Sequence, residues 1–332
     1  MDPDNALIKV DSVTKGFNSK LVLDNVSLKI NAGDIFGLIG ASGSGKTTLL
    51  NLIIGFLKPE EGDVKIDIKC HAPSADAAGS GSVYSNLVMI KRLLGFSAQK
   101  PSFYDGLTVR ENLIYFGTLY DLPDDVLARN IETALNLVGM KEQEYEIAEN
   151  LSGGMQKRLD IACAMIHNPK ILLLDEPTAD LDTTLRKQIW NVISRINKAG
   201  TTIIIATHFL EDVEHLCNRV AVLHGRKIIE QGNLLEIKKH YIANQEVHLK
   251  TAKGDYKEII ELLRKDPDIP ITKVLLENNK LVVHSPNAEK VLHNLVHITE
   301  HLGYDIDDIY MDNPSLDEVF ESLVERSKDK KQ

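Results

Sequence analysis

The sequence predicts a mainly parallel α/β domain followed by a smaller α+β domain, and three observations carry that reading. "DIFGLIG" at 34–40, "KILLLDEP" at 170–177 and "TTIIIATH" at 201–208 are short, continuous apolar runs. Strands covered by helices on both faces lose their polar alternation and read this way. Helical sequence with apolar spacing of three and four alternates with these runs, as in a parallel sheet with crossover helices. Beyond about residue 240 the order changes to βαββαβ, which matches a ferredoxin-like split βαβ unit.

In chain order, "LIKVDSV" at 7–13 and "LVLDNVSLKI" at 21–30 alternate with period two around the turn "GFNSK". They predict a pair of strands. After "DIFGLIG" a glycine-rich turn leads into the helical "KTTLLNLIIGFL" at 46–57, with Pro59 and Gly62 as its stop. "DVKIDI" at 63–68 is a strand, and "CHAPSADAAGSGSVYSN" at 70–86 has the composition of a surface loop or insertion. "LLGFSAQ" at 93–99 is strand-like, and residues from about 106 to 168 are mostly helical. "TTLRKQIWNVISRINKAG" is an amphipathic helix ended by Gly200, and "EDVEHLCNRV" at 211–220 is a further helix. In the second domain "QEVHLKT", "ITKVLLE", "KLVVHS" and "IDDIYMD" are strands. "DYKEIIELLRK", "AEKVLHNLVHITEHLG" and "SLDEVFESLVER" are helices.

Composition narrows the function classes. A chain of 332 residues has room for two domains. The balance of 48 acidic against 38 basic residues gives a formal charge of −10. That disfavours nucleic acid as a partner, because phosphate neutralisation supplies most of such affinity. Cys70, Cys163 and Cys217 have no paired or metal-ligand spacing and read as reduced thiols in the core. "MDPDNALIKV" lacks the basic and apolar regions of a signal peptide. The apolar runs are strand-length, whereas a membrane-spanning helix needs roughly 18 or more such residues. Any membrane role is therefore expected to pass through a partner.

"GASGSGKTT" at 40–48 fits G-x-x-x-x-G-K-[ST], and it lies between a buried strand and a helix, where the mechanism requires it. Gly40, Gly43 and Gly45 let the backbone curl so that successive N–H groups point at phosphate oxygens. Lys46 adds a mobile positive charge, and Thr47 offers its hydroxyl to Mg²⁺. Asp175 closes a buried parallel strand, at the edge where such sheets bind ligands, and is placed to hold Mg²⁺. Glu176 is the candidate to polarise the attacking water. His208 and Gln99 end neighbouring strand-like runs and are expected to face the same edge. At 151–159, "LSGGMQKRL" is a second anion-receiving turn, where Ser152, Gly153 and Gly154 leave N–H groups open at a helix start.

Taken in this order, with "ADLD" at 179–182 before His208, the motifs resemble the ATPase subunit of an ABC (ATP-binding cassette) transporter over residues 6 to about 235. The resemblance implies a P-loop NTPase domain over residues 1–238, with an antiparallel β subdomain and a helical subdomain at about 100–168. It implies ATP and Mg²⁺ as cofactors. Nucleotide binding then falls to Phe17 (in place of the usual stacking Tyr), Gly40, Ala41, Ser42, Gly43, Ser44, Gly45, Lys46, Thr47 and Thr48. Ser152, Gly153, Gly154 and Gln156 of the signature and Asp182 of the D-loop join them. Thr47, Gln99 and Asp175 are the metal candidates; Glu176, His208, Lys46 and Gln99 are the catalytic ones. Ala41 stands where a proline or another turn former is common.

In this family two cassettes pack head to tail, so the signature turn implies a homodimer or a paired homologous ATPase subunit. "NPSLDEVFESL" at 313–323, in the accessory domain over 240–332, resembles the tail of drug-resistance-type exporters with separate membrane polypeptides. The implied machine is an ATP-hydrolysing motor for membrane-spanning permease subunits, cytoplasmic and held at the inner face of the membrane. The rival is a soluble ABC ATPase acting on DNA or ribosomes. Condensin-like members need a long coiled coil where this chain has only about a hundred residues, and translation-factor members carry two cassettes. Finally, His293, His297 and His301 share one helix face at i, i+4 spacing. Without carboxylates at firm spacing they read as a solvated face rather than a metal site.

Overall fold

The computed structural model describes residues 6–67, 80–85, 87–241, 245–252, 255–266, 269–277, 279–312, 316, 318–320 and 323–324. The chain divides into two units, Met1–Leu234 and Leu235–Gln332.

In the first unit β1 (Ala6–Phe17) and β2 (Lys20–Asn31) form a hairpin through Asn18 and Ser19, both at positive φ. The buried run β3 (Ile35–Ile39) follows and leads through the glycine turn into α1 (Lys46–Ile53). β4 (Glu61–Asp67) and β5 (Ser80–Ser82) complete an antiparallel sheet of order β2-β1-β4-β5. α2 (Leu87–Leu93) and β6 (Leu94–Ser97) precede the helical block of α3 (Val109–Leu119), α4 (Asp124–Val138) and α5 (Gly153–Met165). Then come β7 (Ile171–Asp175), α6 (Thr183–Lys198), β8 (Thr202–Thr207), α7 (Leu210–Leu216), β9 (Arg219–His224) and β10 (Lys227–Asn233).

The main sheet has the order β10-β9-β3-β8-β7-β6, and all but the edge strand β10 run parallel. β3, β7 and β8 are buried at every residue, as the unbroken apolar runs predict. Their register sets Ile39 beside Thr207, Asp175 beside Ala206 and Ser97 beside Leu174. The C-terminal ends of β3, β8, β7 and β6 therefore share one edge, which positions the site.

The structure corrects the sequence reading in four places. The helix from Lys46 stops at Ile53 rather than running to 57, because Gly55 turns left-handed at φ +77. A Cβ at Gly55 would come within 2.5 Å of Leu87 Cδ2, so both space and φ require glycine there. The helix read over 211–220 ends at Leu216; Cys217 is extended, and the Asn218 side chain accepts from the Ile35 N–H at 3.0 Å. The residues beyond form β9 and β10, a hairpin turned at Gly225 and Arg226, both at positive φ. Finally, α2 is a helix and residues 80–82 a strand where none was predicted. The remainder of the Ala/Ser/Gly-rich stretch, 70–79 and 86, lies outside the described residues.

His167, just past α5, donates from Nε2 to the Leu94 carbonyl at 3.0 Å and stacks on Tyr120 with ring centroids 3.7 Å apart. Burial lowers its pKa from 6.5 to about 4, opposed by the Leu94 bond, so the folded chain holds a neutral ring at pH 7. Between pH 6.5 and about 4 the unfolded chain binds a proton here that the folded chain does not. Stability from this group is thus full at higher pH and is lost as pH falls through that window. The expected loss is on the order of 3 kcal/mol. His167→Gln should flatten this limb of the pH profile in denaturant melts; a profile parallel to wild type would rule the assignment out.

In the second unit, α8 (Leu234–Tyr241), which begins one residue earlier, precedes β11 (Gln245–Thr251), α9 (Lys257–Lys265), β12 (Lys273–Glu277), β13 (Lys280–Ser285), α10 (Ala288–Leu302) and β14 (Ile306–Asp312). The sheet is wholly antiparallel in the order β12-β13-β11-β14, the split βαβ arrangement. Val247, Leu249, Leu281 and Val283 point to a core shared with Ile259, Leu263, Val291 and Leu295 of the helices. His293, His297 and His301 are exposed, and no cluster of three or more metal-ligating side chains occurs among the described residues. Of the tail motif, residues 316, 318–320 and 323–324 are helical, and 313–315, 317 and 321–322 lie outside the described residues. No helix among the described residues is long and apolar enough to cross a membrane.

Candidate active site at the edge of the parallel sheet

The turn after β3 is built for close backbone approach. A Cβ at Gly40 would lie 2.6 Å from both the Leu223 carbonyl and Ser44 Oγ, so only glycine fits. Gly43 and Gly45 take φ of +75 and +108, and the Ser44 N–H closes the turn on the Ala41 carbonyl at 3.1 Å. Ala41, Ser42 and Gly43 are exposed at the tip, with Thr47 and the half-buried Thr48 behind them in the first turn of α1. Ser44 Oγ is buried and has no hydrogen-bond partner.

Lys46, only 5% exposed, donates from Nζ to the Gly40 carbonyl at 2.8 Å and the Ala41 carbonyl at 3.3 Å. The same ammonium lies 3.2 Å from Glu176 Oε1. Glu176 Oε2 in turn accepts from His208 Nδ1 at 2.9 Å and lies 3.4 Å from the His208 backbone N–H. Glu176 sits at φ +47, a left-handed conformation uncommon outside glycine, fastened by its own N–H to the Ala206 carbonyl at 2.8 Å. Backbone strain of this kind concentrates at functional sites. It aims the carboxylate between Lys46 and His208.

Beside it, Thr47 Oγ1 donates to Asp175 Oδ2 at 2.7 Å. Asp175 Oδ1 is buried without any hydrogen-bond partner. Burial pushes the Asp175 carboxyl above its ordinary range, and Glu176 adds to the rise; Thr47, Lys46 and Lys157 oppose it. An orphaned carboxylate oxygen next to a threonine hydroxyl is a hard-oxygen pair that fits a divalent cation such as Mg²⁺.

The structure thus joins Lys46, Thr47, Asp175, Glu176 and His208 into one cluster. Phe17, Gln99, Ser152, Gly153, Gly154, Gln156 and Asp182 make no hydrogen bond to it among the described residues. Phe17 ends β1, 44% exposed, with Lys15 Nζ 5.4 Å from its ring centroid. Gln99 is exposed two residues past β6, at the same edge of the sheet. Ser152 caps α5, its Oγ accepting from the Met155 N–H at 3.4 Å, and Gly153 beside it is exposed. Gly154 is buried where a Cβ would meet Leu185 Cδ2 at 2.8 Å. Gln156 Nε2 donates to the Ala148 carbonyl at 3.4 Å. Asp182 caps α6, accepting from the N–H groups of Thr184 and Leu185 at 2.8 and 2.9 Å.

Sequence reasoning passes over Asp212. It is fully buried and accepts from Thr178, from Trp190 Nε1 at 2.7 Å and from Thr207 at 3.2 Å. It therefore binds the segment after Glu176 to the residue before His208. Its only sequence signal is a second acid in the first turn of a short helix. A separate cavity of about 570 Å³ opens between α2, β6, α3 and α5, lined in part by Phe56, Val88, Leu94, Phe96, Phe116 and Leu119. Phe56, Val88 and Leu119 are 71%, 72% and 62% exposed.

The family model described as ABC transporter matches residues 23–179. The linearmycin resistance ATP-binding protein LnrL of Bacillus subtilis (strain 168) is 24% identical over 97% of this chain and 99% of its own length. The Nod factor export ATP-binding protein I of Rhizobium sp. (strain N33) is 30% identical over 97% of this chain and 98% of its own. Relatives named as import ATP-binding proteins match 71–83% of this chain. Among solved structures, cbiO1 from Clostridium perfringens, part of the ABC transporter complex cbiONQ, is similar with a TM-score of 0.62 and 28% identity. That likeness covers 70% of this chain and 91% of the other.

Proposed function

The chain belongs to the ABC transporter family as an ATP-binding subunit, and on that premise we propose that it hydrolyses Mg·ATP in a dimer to drive export through a separate membrane-spanning partner. The observation that carries the reading is the single cluster in which Lys46 and His208 both hold Glu176 while Thr47 and the half-unpartnered Asp175 lie alongside.

The glycine turn and Lys46 receive the β- and γ-phosphates, and Phe17 offers its exposed ring to the base. Phosphate oxygens compete with Glu176 for the Lys46 ammonium, which frees the Glu176 carboxylate to take a proton from the attacking water. His208 keeps that carboxylate aimed through its Nδ1 contact. Thr47 and Asp175, with Gln99 from the segment after the neighbouring strand, would hold Mg²⁺, which would neutralise charge on the transferring phosphoryl group. The exposed Ser152–Gly153 turn supplies donors to the γ-phosphate on a second copy or a homologue.

The apolar cavity beside β6, with Phe56, Val88 and Leu119 exposed around it, supports docking of a membrane partner there. Export is supported by the Nod factor export protein, whose similarity runs through the second unit as well as the first. A dimer-dependent enzyme has a signature in dilution: Mg²⁺-dependent ATP hydrolysis per chain should rise with protein concentration and then level off. Specific activity that is constant across dilution into the monomer range would contradict the shared site.

A further inference from the structure

α5 carries two buried charged residues that the cluster above does not use. Lys157 is 7% exposed and Asp160 only 2%. Asp160 Oδ2 accepts from Ser97 Oγ at 2.5 Å, and Oδ1 accepts from the Ser102 N–H at 2.9 Å and Ser102 Oγ at 3.2 Å. Lys157 donates from Nζ to the Ala98 carbonyl at 2.9 Å and lies 3.9 Å from Asp160 Oδ2. Ser97 and Ala98 precede Gln99, and Ser102 follows it by three residues. Both ends of the Gln99 segment are thus fastened to one turn of the helix that Ser152 begins.

Burying two charges carries a desolvation cost that their contacts must offset, so a hydrophobic pair of similar volume would stabilise the fold as well or better. What the charged pair supplies is direction. Two of the hydrogen bonds hold backbone groups of the segment after β6, the Ala98 carbonyl and the Ser102 N–H, and two hold the hydroxyls of Ser97 and Ser102. Lys157 also acts on the hydrolysis cluster at a distance: its charge opposes the upward push of burial on the Asp175 carboxyl.

We propose that Lys157 and Asp160 are positioning residues, which hold Gln99 at the metal edge of the site and join that loop rigidly to the signature turn at Ser152. This rests on the reading of the chain as a Mg·ATPase with Gln99 at the metal. In the dimer its consequence is directional: the turn that senses one nucleotide in trans is fixed to the loop that senses the other in cis.

The test uses the full chain and three measurements: the Mg²⁺ concentration for half-maximal hydrolysis, ATP affinity in EDTA, and the thermal midpoint. Asp160→Ala should raise the Mg²⁺ requirement roughly tenfold and lower turnover by about 10–100-fold, as loss of a group supporting a metal ligand does. ATP affinity in EDTA should stay at the wild-type value, because the glycine turn is untouched. Asp160→Asn keeps an acceptor for the Ser102 N–H and should recover part of the Mg²⁺ affinity. Ser97→Ala frees one end of the loop without disturbing α5; it should shift the Mg²⁺ requirement the same way by a smaller factor, and it decides the matter if Asp160→Ala does not fold. A wild-type Mg²⁺ requirement in Ser97→Ala and in every folded Asp160 variant overturns the proposal, whatever their thermal midpoints. A wild-type chain that hydrolyses no ATP would instead remove the functional reading beneath it.

Discussion

Glu176→Gln is expected to slow ATP hydrolysis by roughly 10²–10⁴-fold, the contribution of a positioned general base. ATP binding should survive, and ATP-bound dimers should accumulate on size-exclusion chromatography. The substitution keeps the side chain's shape at φ +47 and its place between Lys46 and His208. What it removes is the charge and the basic oxygen: an amide cannot take the water's proton. The ammonium of Lys46 also loses its carboxylate partner at 3.2 Å, so phosphate no longer has to displace a counter-ion to reach it. Nucleotide affinity should therefore hold or rise while turnover falls. Hydrolysis by Glu176→Gln at the wild-type rate would sink the assignment of the base.

That cluster was legible because each member adjoins an end of an apolar run. Ile35–Ile39 delivers the glycine turn, Ile171–Asp175 delivers Asp175 and Glu176, and Thr202–Thr207 delivers His208. Buried parallel strands declare themselves by continuous hydrophobicity, and parallel register then aligns their ends. Two elements with neither a continuous apolar run nor a clear alternation were not legible. α2 has seven residues, and β10 is an edge strand with no residue fully buried, so neither shows a clear period. Lys157 and Asp160 were hidden for another reason. At i, i+3 on a helix a lysine and an aspartate look like a surface pair. Only packing shows that α5 buries six of the seven residues from Lys157 to Cys163, leaving Arg158 alone half-exposed. Asp212 is hidden likewise, since the donors that satisfy it come from β8, α6 and the turn after β7.

Ser152→Arg is expected to abolish hydrolysis while leaving ATP binding by the isolated chain nearly intact. Ser152 and Gly153 are exposed at the head of α5, and they share no hydrogen bond with the glycine turn that holds Lys46. An arginine there places a long side chain where open N–H groups should meet phosphate, so in the proposed dimer it should block the site of the facing subunit. Lys46→Ala should abolish hydrolysis from the other side, by removing the positive charge that the same chain offers to the phosphates. Mixing the two inactive variants separates the geometries. If signature and glycine turn act across a two-fold dimer, a mixed dimer holds one site damaged twice and one site wholly intact. On random equal mixing half the dimers are mixed, each with one working site of two, so about a quarter of wild-type activity should return. If Ser152 serves its own chain's nucleotide, every site in the mixture carries a lesion and nothing returns. Activity after mixing therefore reads the quaternary arrangement directly, and its absence, in variants shown to form mixed dimers, would return the signature turn to a role within one subunit.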